Sequence, residues 1–244
     1  MSKFPLPNGK KCFVVAILIN VFFTVNAQLK RLSLNDGLSN NSITAVYEDR
    51  YGFMWAGTFD GLNRYDGYQF KVFKNKLNDT LSLPNNRISA IQEDGNGRLW
   101  IGTKQGVYHL NQTNWQFLPL YYRVGSSQTT KKLTNPVNSL LKGNNGALFI
   151  CTAGEGLLVK DNGISTAIQI PLEGEKVQYL FHAQAAVVDQ DNVIWVFIQN
   201  VGLTRYNASK RVLETVSSAI WHANCMLVDE FGDILLGNNN GLYK

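Results

Sequence analysis

The sequence is poor in the residues that build metal sites and disulfide frameworks. It has three cysteines and three histidines in 244 residues, and none of them stands at a metal-ligand spacing. Cys151 and Cys225 are 74 residues apart and fall in different copies of the repeat described below. We therefore expect no disulfide between them, no metal and no cofactor.

Charge is also scarce, since charged residues make up 17% of the chain. The formal charge of +5 falls to +2 beyond residue 27, because the first 27 residues hold three lysines and no acid. No cluster of lysine and arginine follows, so we expect no nucleic-acid partner and no anionic membrane surface.

Long apolar runs are absent except at the N-terminus, where residues 13–25 follow three lysines and precede Val25-Asn26-Ala27. The run has about 13 residues, whereas a membrane span needs about 20. This order predicts a signal peptide over residues 1–27, cleaved before Gln28, and no transmembrane segment after it. An uncleaved anchor is the alternative.

What the sequence does contain is a repeat rich in glycine and aromatic residues. Residues 94–107 read D-G-N-G-R-L-W-I-G-T-K-Q-G-V, and five related copies align on Trp55, Trp100, Phe149, Trp195 and Leu235, spaced by 45, 49, 46 and 40 residues. Each period contains a pattern of four short strands. Such a period predicts an all-β fold, a β-propeller of four-stranded blades with one blade per repeat.

The predicted blades are residues 43–73, 88–121, 137–170, 185–216 and 225–244, with residues 29–34 as a closing outer strand. Two interpretations follow. Either five blades form a ring closed by residues 29–34, or the chain is an incomplete part of a larger, seven-bladed propeller. We favour the second, because residue 244 falls inside a predicted strand.

Several columns of the repeat have structural explanations. A left-handed turn residue is predicted at Gly52, Gly97, Gly146 and Gly232, where the fourth copy has Asn192. The aspartates three residues earlier, Asp49, Asp94, Asp189 and Asp229, are placed to accept hydrogen bonds from turn amides. The aromatic column is expected to pack between blades. The small residues Gly57, Gly102 and Cys151 fit a crowded inner strand.

The pattern D-x-x-G-x-x-W-x-G-T-x-x-G-L, with L-S-N-N-S-I before it and N-R-Y-D-G after it, resembles the two-component regulator propeller repeat. The resemblance implies a sensor region of hybrid two-component histidine kinases, exported to the periplasm or cell envelope of a Gram-negative bacterium. Relatives of this kind carry further sensor domains, a membrane helix and a kinase core, and many respond to oligosaccharides. A downstream sensor domain or a second protomer is the protein partner that this implies.

We expect no catalytic residues, because no nucleophile elbow, phosphate loop or kinase core is present. The predicted function is therefore ligand sensing, with an oligosaccharide or another small ligand, by a chain truncated before its membrane and kinase parts. One alternative is a free-standing secreted propeller that binds protein or glycan. Another is a propeller lyase or glycosidase that uses Glu155, Asp60 and His182.

The repeat also indicates where a ligand would bind. In a four-stranded meander, the turn between strands two and three emerges at the same end as the connection to the next blade. Aromatic, amide and charged side chains at that end suit a sugar. The predicted ligand-binding residues are Phe59, Asp60, Lys104, Gln105, Glu155 and Asn200. A second candidate is the insertion that begins at residues 121–123, which could equally be a mobile loop.

Overall fold

The structure is a computed structural model that describes residues 29–125, 127–174 and 181–244. The predicted signal peptide lies outside these residues. Leu32–Lys244 form one structural unit. The described part contains one short 3-10 helix, Leu34–Asp36, followed by β-strands.

The strands form five successive sheets, each built from one copy of the repeat. In the first two sheets the strands pair in chain order and antiparallel. The first sheet contains β1 (Ile43–Glu48), β2 (Met54–Thr58), β3 (Gly61–Tyr65) and β4 (Phe70–Phe73). The second contains β5 (Ile88–Glu93), β6 (Leu99–Thr103), β7 (Gly106–Asn111) and β8 (Gln116–Pro119).

The third sheet has six strands because the insertion after β8 joins it. It contains β9 (Tyr121–Val124), β10 (Lys131–Lys132), β11 (Val137–Lys142), β12 (Leu148–Thr152), β13 (Gly156–Lys160) and β14 (Thr166–Ile170). β9 pairs in parallel with β14, and β10 pairs with β9 to form the outer edge. The second blade therefore ends before Tyr121, and the start of the insertion is an ordered strand and not a mobile loop.

The fourth sheet contains β15 (Ala183–Val188), β16 (Ile194–Ile198), β17 (Gly202–Asn207) and β18 (Val212–Ser217). The fifth contains β19 (Cys225–Val228), β20 (Ile234–Asn238) and β21 (Gly241–Tyr243). This arrangement confirms the predicted all-β propeller of four-stranded antiparallel blades, although the fifth sheet has three strands in the described residues.

The closing strand predicted over residues 29–34 is not formed. Residues 29–33 have no strand assignment, and the 3-10 helix begins at Leu34. A capping box explains this, since the Asp36 carboxylate accepts hydrogen bonds from the Ser33 amide and the Ser33 hydroxyl at 2.8 and 2.9 Å. The prediction was wrong because it relied on the match to the strand before the second blade and missed this local signal.

The hydrophobic core consists of layers between consecutive blades. Trp55 and Leu62 pack on Ile88 and Leu99 between the first and second blades, and separate layers fill the next interfaces. The layer between the fourth and fifth blades is small, with Phe197, Ala223 and Leu236 as its buried residues. Trp55, Trp100 and Phe149 each lie in a layer, so the aromatic column packs between blades as predicted, whereas Trp195 is half-buried.

Two glycines of the repeat allow the inner strands of neighbouring blades to approach each other. A Cβ built on Gly57 would lie 2.5 Å from Cγ2 of Ile88, and one built on Gly102 would lie 2.8 Å from Cγ1 of Val137. Both contacts are shorter than van der Waals separation. These glycines are therefore required by packing against the next blade, and not by their backbone conformation.

In four of the five blades, the turn between the first two strands is organised by an aspartate. Asp94 Oδ1 accepts hydrogen bonds from the amides of Asn96 and Arg98, and Oδ2 accepts one from the Trp100 indole at 2.9 Å. Asp49 and Asp189 make the same set of bonds in their own blades. The residues at the predicted left-handed positions have φ between 65° and 87°: Gly52, Gly97, Gly146, Asn192 and Gly232.

Asp94 also holds a buried lysine of the next blade. Lys160 Nζ lies 3.3 Å from Asp94 Oδ2, with both side chains at most 1% exposed, and 5.2 Å from the Trp100 ring centroid. Burial acts to raise the pKa of Asp94, but the bonds from Trp100 and Arg98 and the charge of Lys160 outweigh it and lower that pKa. The pair therefore joins the second and third blades.

Turns of consecutive blades also bond to each other at this end, which we call the Asp-turn end. The Gly95 amide donates to the Gly146 carbonyl at 3.0 Å, the Asn144 side-chain amide donates to Asn192, and Gln190 donates to the carbonyl of Glu230. Hydrogen bonds between turns at the Asp-turn end therefore hold neighbouring blades together.

Candidate functional site

The opposite end of the sheets, which we call the connection end, contains the turns between the second and third strands and the connections between blades. The amide of Gly61 donates to the Asn86 carbonyl at 2.8 Å, and that of Asn200 donates to the Trp221 carbonyl at 2.9 Å. In both cases the turn of one blade bonds to the connection that leads to the next blade. Turns and connections therefore form one continuous surface.

A buried threonine shapes three of these turns. Thr103 Oγ1 donates to the Gly106 carbonyl and accepts from the Gln105 amide, both at 3.0 Å. Thr58 and Thr152 make the equivalent pair of bonds in their own blades. Since the threonine satisfies the turn backbone from the inside, the side chains at the tip are free to point outward. This is the role of the Thr in the G-T pair of the repeat, which the sequence alone does not reveal.

The structure places all six predicted ligand-binding residues in these turns at the connection end. Four have side chains without a hydrogen-bond or ion-pair partner among the residues described: Phe59, Lys104, Gln105 and Asn200. The Phe59 ring is half-exposed, and the Arg87 guanidinium lies 4.9 Å from its centroid. Their role in binding stays a prediction.

The other two predicted residues are engaged with neighbours. Asp60 binds Lys74 at 2.5 Å through one carboxylate oxygen and the Asn86 amide at 3.0 Å through the other. Glu155 accepts a hydrogen bond from the Gln169 amide at 3.1 Å. Both carboxylates therefore hold neighbouring side chains in place.

Glu155 also connects the connection end to the inserted strand β9. Burial, together with the hydrogen bond to the Glu155 carboxylate and its negative charge, raises the pKa of Tyr122 to about 12. Tyr122 is 3% exposed and stays a neutral donor at physiological pH. The insertion thereby fixes the position of the third blade's turn.

A large exposed aromatic residue near Asn200, Trp221, was not predicted from the sequence. Trp221 lies in the connection between β18 and β19 and is 70% exposed. In the same connection, His222 bonds to Asn224 at 3.1 Å. Asn224 in turn bonds to Asn239, in the turn between β20 and β21, at 2.9 Å. An exposed aromatic ring and amide side chains at the same connection are groups that can stack on a sugar and bond its hydroxyls. Trp221 lies outside the repeated columns, so alignment of the copies gave it no weight.

The described residues contain no group of three or more His, Cys, Asp or Glu side chains that could hold a metal ion. No helix in the same part of the chain is both long and apolar enough to cross a membrane. Glu155, Asp60 and His182, considered for an enzyme, lie at the connection end in separate turns or connections.

Comparisons with known proteins agree with this fold. Residues 37–60 and 82–105 match the model of the two component regulator propeller family. Over 58 residues, 24% of this chain, the sequence is 40% identical to "Histidine kinase P4" of Formosa agariphila, and the match covers 4% of that protein.

Three solved structures illustrate the fold likeness. The extracellular domains of the two component system BT3049 and of BT4673, both from B. thetaiotaomicron, superpose with TM-scores of 0.69 at 22% identity, over 87% and 88% of this chain and 30% and 31% of theirs. Virginiamycin B lyase from Staphylococcus aureus superposes with a TM-score of 0.57 at 10% identity, over 86% of this chain and 67% of its own.

This chain thus spans about a third of the length of the two extracellular domains. The two matched segments run from the entry of the first blade to its second-to-third-strand turn, and over the corresponding part of the second blade. They include the Asp turn, the packing tryptophan and the G-T turn described above. Two segments of this chain, one in each of its first two blades, thus match the repeat of the two component regulator propeller family.

Proposed function

We propose that this chain is the ligand-sensing propeller portion of a two-component sensor and that its connection end binds an oligosaccharide. The observation that carries the proposal is the contrast between the two ends of the blades. The turn aspartates at the Asp-turn end are bonded within their own turns, whereas Lys104, Gln105, Asn200 and Trp221 are exposed at the connection end. The family match and the sensor proteins with this fold support the sensing role.

The proposed ligand follows from the chemistry of these side chains. Trp221 offers an apolar ring for stacking on the face of a sugar, and Gln105 and Asn200 offer amide donors and acceptors for hydroxyl groups. Lys104 adds a cation at the same end of the second blade. Because Thr103 closes the turn of Lys104 and Gln105 from the inside, that turn presents these two groups without a large ordering cost.

We also propose that the chain acts outside the cytoplasm, in the periplasm or cell envelope, and without catalysis. In a longer polypeptide the signal would pass by a shift in how the propeller packs on a following sensor domain or a second protomer. The small share of the histidine kinase that the match covers supports a longer protein. Sequencing the source DNA beyond codon 244 tests this part directly, and a stop codon there would refute it.

Titration calorimetry of the full chain with a panel of neutral oligosaccharides tests ligand binding. Trp221→Ala is expected to weaken binding about tenfold or more, as removal of a central aromatic anchor does. Tyr68→Ala is the matched control, because Tyr68 is 94% exposed in the turn between β3 and β4, at the Asp-turn end. Equal affinities in both variants would refute the assignment of the connection end.

A further inference from the structure

A groove between the first and second blades carries an excess of positive charge. It lies along the outer strands β4 and β8, has a volume of about 430 Å³ and is open to solvent. Lys71, Lys74 and Lys76 line one side, Trp115 and Gln116 line the other, and Asp79 is the acidic residue in its described lining. The volume falls in the range of small-ligand sites, about 300–1,000 Å³.

The lysines of the groove differ in whether their charge is neutralised. Lys74 is paired with Asp60 at 2.5 Å. Lys71 and Lys76 have no carboxylate within ion-pair distance among the residues that the structure describes. Two ammonium groups therefore face the groove without an internal counterion.

A third cation without an ion-pair partner among the described residues, Arg64, contacts the same ring as Lys71. The Arg64 guanidinium lies 4.2 Å from the Phe53 ring centroid and 5.0 Å from that of Trp115, and Lys71 Nζ lies 3.6 Å from the Trp115 centroid. Arg64 Nε is buried and has no hydrogen-bond partner. Burial, and then the charge of Arg64, lowers the pKa of Lys71. The indole compensates the two cations only in part, so an anion in the groove would be stabilised by Lys71, which lines it.

The wall that carries Trp115 and the loop opposite it are both held in place. Trp115 has φ of 61°, the left-handed conformation that is rare for aromatic residues, and its amide donates to the Asn111 carbonyl at 2.7 Å. Ser82 Oγ bonds to the Lys76 amide at 3.0 Å and to the Asp79 carbonyl at 2.7 Å, which fixes the loop bearing Lys76. Arg211 has a similar φ of 54° at the equivalent turn of the fourth blade, so this conformation belongs to the turn and fixes the position of the wall.

We propose that this groove binds an anionic saccharide, with its carboxylate or sulfate between Lys71 and Lys76 and its hydroxyls toward Gln116. The Gln116 side-chain oxygen accepts from Asn114 at 2.8 Å, which orients the Gln116 amide group. The site is separate from the connection end, and the proposal does not depend on the function assigned to that end.

Titration calorimetry of the full chain with glucuronate, glucose 6-sulfate, glucose and inorganic sulfate tests the proposal. Both anionic sugars are expected to bind. Lys71→Gln and Lys76→Gln are each expected to weaken that binding about tenfold, since a charge-assisted hydrogen bond is lost. Lys76→Arg keeps the charge and is expected to retain binding. Lys142→Gln, an exposed lysine at the end of β11, is expected to bind as the unaltered chain does.

Three results would overturn the proposal. The first is glucose binding as tightly as glucuronate, which would show that charge is not recognised. The second is unchanged affinity for both anionic sugars in Lys71→Gln and Lys76→Gln. The third is inorganic sulfate binding as tightly as the sugars, which would reduce the groove to an ion site. Thermal unfolding of each variant distinguishes lost binding from lost folding. If neutral oligosaccharides do not bind at the connection end, the three outcomes above keep their meaning.

Discussion

Replacing Asp94 by asparagine is expected to destabilise the protein far more than the same change at Asp49. Both aspartates bind two turn amides and a tryptophan indole in the same geometry. They differ in one partner, because only Asp94 faces the buried ammonium of Lys160. The pair of variants therefore isolates the contribution of the charge interaction between the second and third blades.

The structure gives the expected magnitudes. At Asp49 an amide keeps one acceptor oxygen, so the cost is that of weakened hydrogen bonds, about 1–2 kcal/mol. At Asp94 the substitution also leaves Lys160, at 1% exposure, without its counterion. Removing one partner of a buried ion pair costs about 3–5 kcal/mol. In Asp94→Asn with Lys160→Met, no charge is left buried, and the cost should return to that of Asp49→Asn.

Urea unfolding followed by tryptophan fluorescence and circular dichroism measures these differences. A free energy of unfolding that falls equally, within about 0.5 kcal/mol, in Asp94→Asn and Asp49→Asn would refute the reasoning. So would a double variant that is no more stable than Asp94→Asn. The lowered pKa of Asp94 adds a second test: its contribution is present above its unfolded pKa of 3.8 and is lost as pH falls through the folded value. On acidification, Asp94→Asn should therefore lose less free energy of unfolding than the unaltered chain.

Three further predictions follow from packing and burial. Gly102→Ala is expected to destabilise the protein by about 1–3 kcal/mol in urea unfolding, because the added Cβ would meet Val137 at 2.8 Å. Burial, and then the charge of Arg98, lowers the pKa of His109 below 6.5, so stability should fall as pH drops from 6.5 toward the folded pKa, and His109→Gln should lack that slope. Native alkylation followed by mass spectrometry should label the exposed Cys225 and spare Cys151, since burial raises the pKa of the Cys151 thiol to about 12.

Each of these has a contradicting result. Gly67→Ala is the control for the first, because no atom lies within 4 Å of its added Cβ, and its φ of 96° isolates backbone strain. An unchanged free energy of unfolding in Gly102→Ala would show that the close approach of the blades is unimportant. An unchanged pH slope in His109→Gln, or labelling of Cys151 at the rate of Cys225, would contradict the other two.

The fold was predictable because each blade repeats the same local requirements. Glycine or asparagine at the left-handed position and aspartate three residues earlier are satisfied within one turn, so they can be read from a short sequence. The aromatic column was predictable for the same reason. In the third blade Gly143 replaces the turn aspartate, and Phe149, which has no donor, replaces the tryptophan. The aspartate and the indole donor are thus lost together in this blade. That joint loss in the sequence could have revealed the hydrogen bond between them.

The remaining features depend on contacts between blades or outside the repeat. Nothing near Lys160 in the sequence reveals that it lies against Asp94, since the two are 66 residues apart. The parallel pairing of β9 with β14 adds an insertion to the next blade, and such pairing is fixed by space and not by local pattern. Trp221 was missed because it belongs to a connection that is not repeated.

Hydrogen–deuterium exchange of the full chain, with and without a neutral oligosaccharide that binds, tests most directly whether the connection end is the ligand-binding surface. Protection is expected at the turns of residues 58–61, 103–106 and 198–202 and at the connection of residues 218–224, with no change at the Asp turns of residues 49–53 and 94–98. Protection at the Asp turns with unchanged exchange at the connection end would contradict the account.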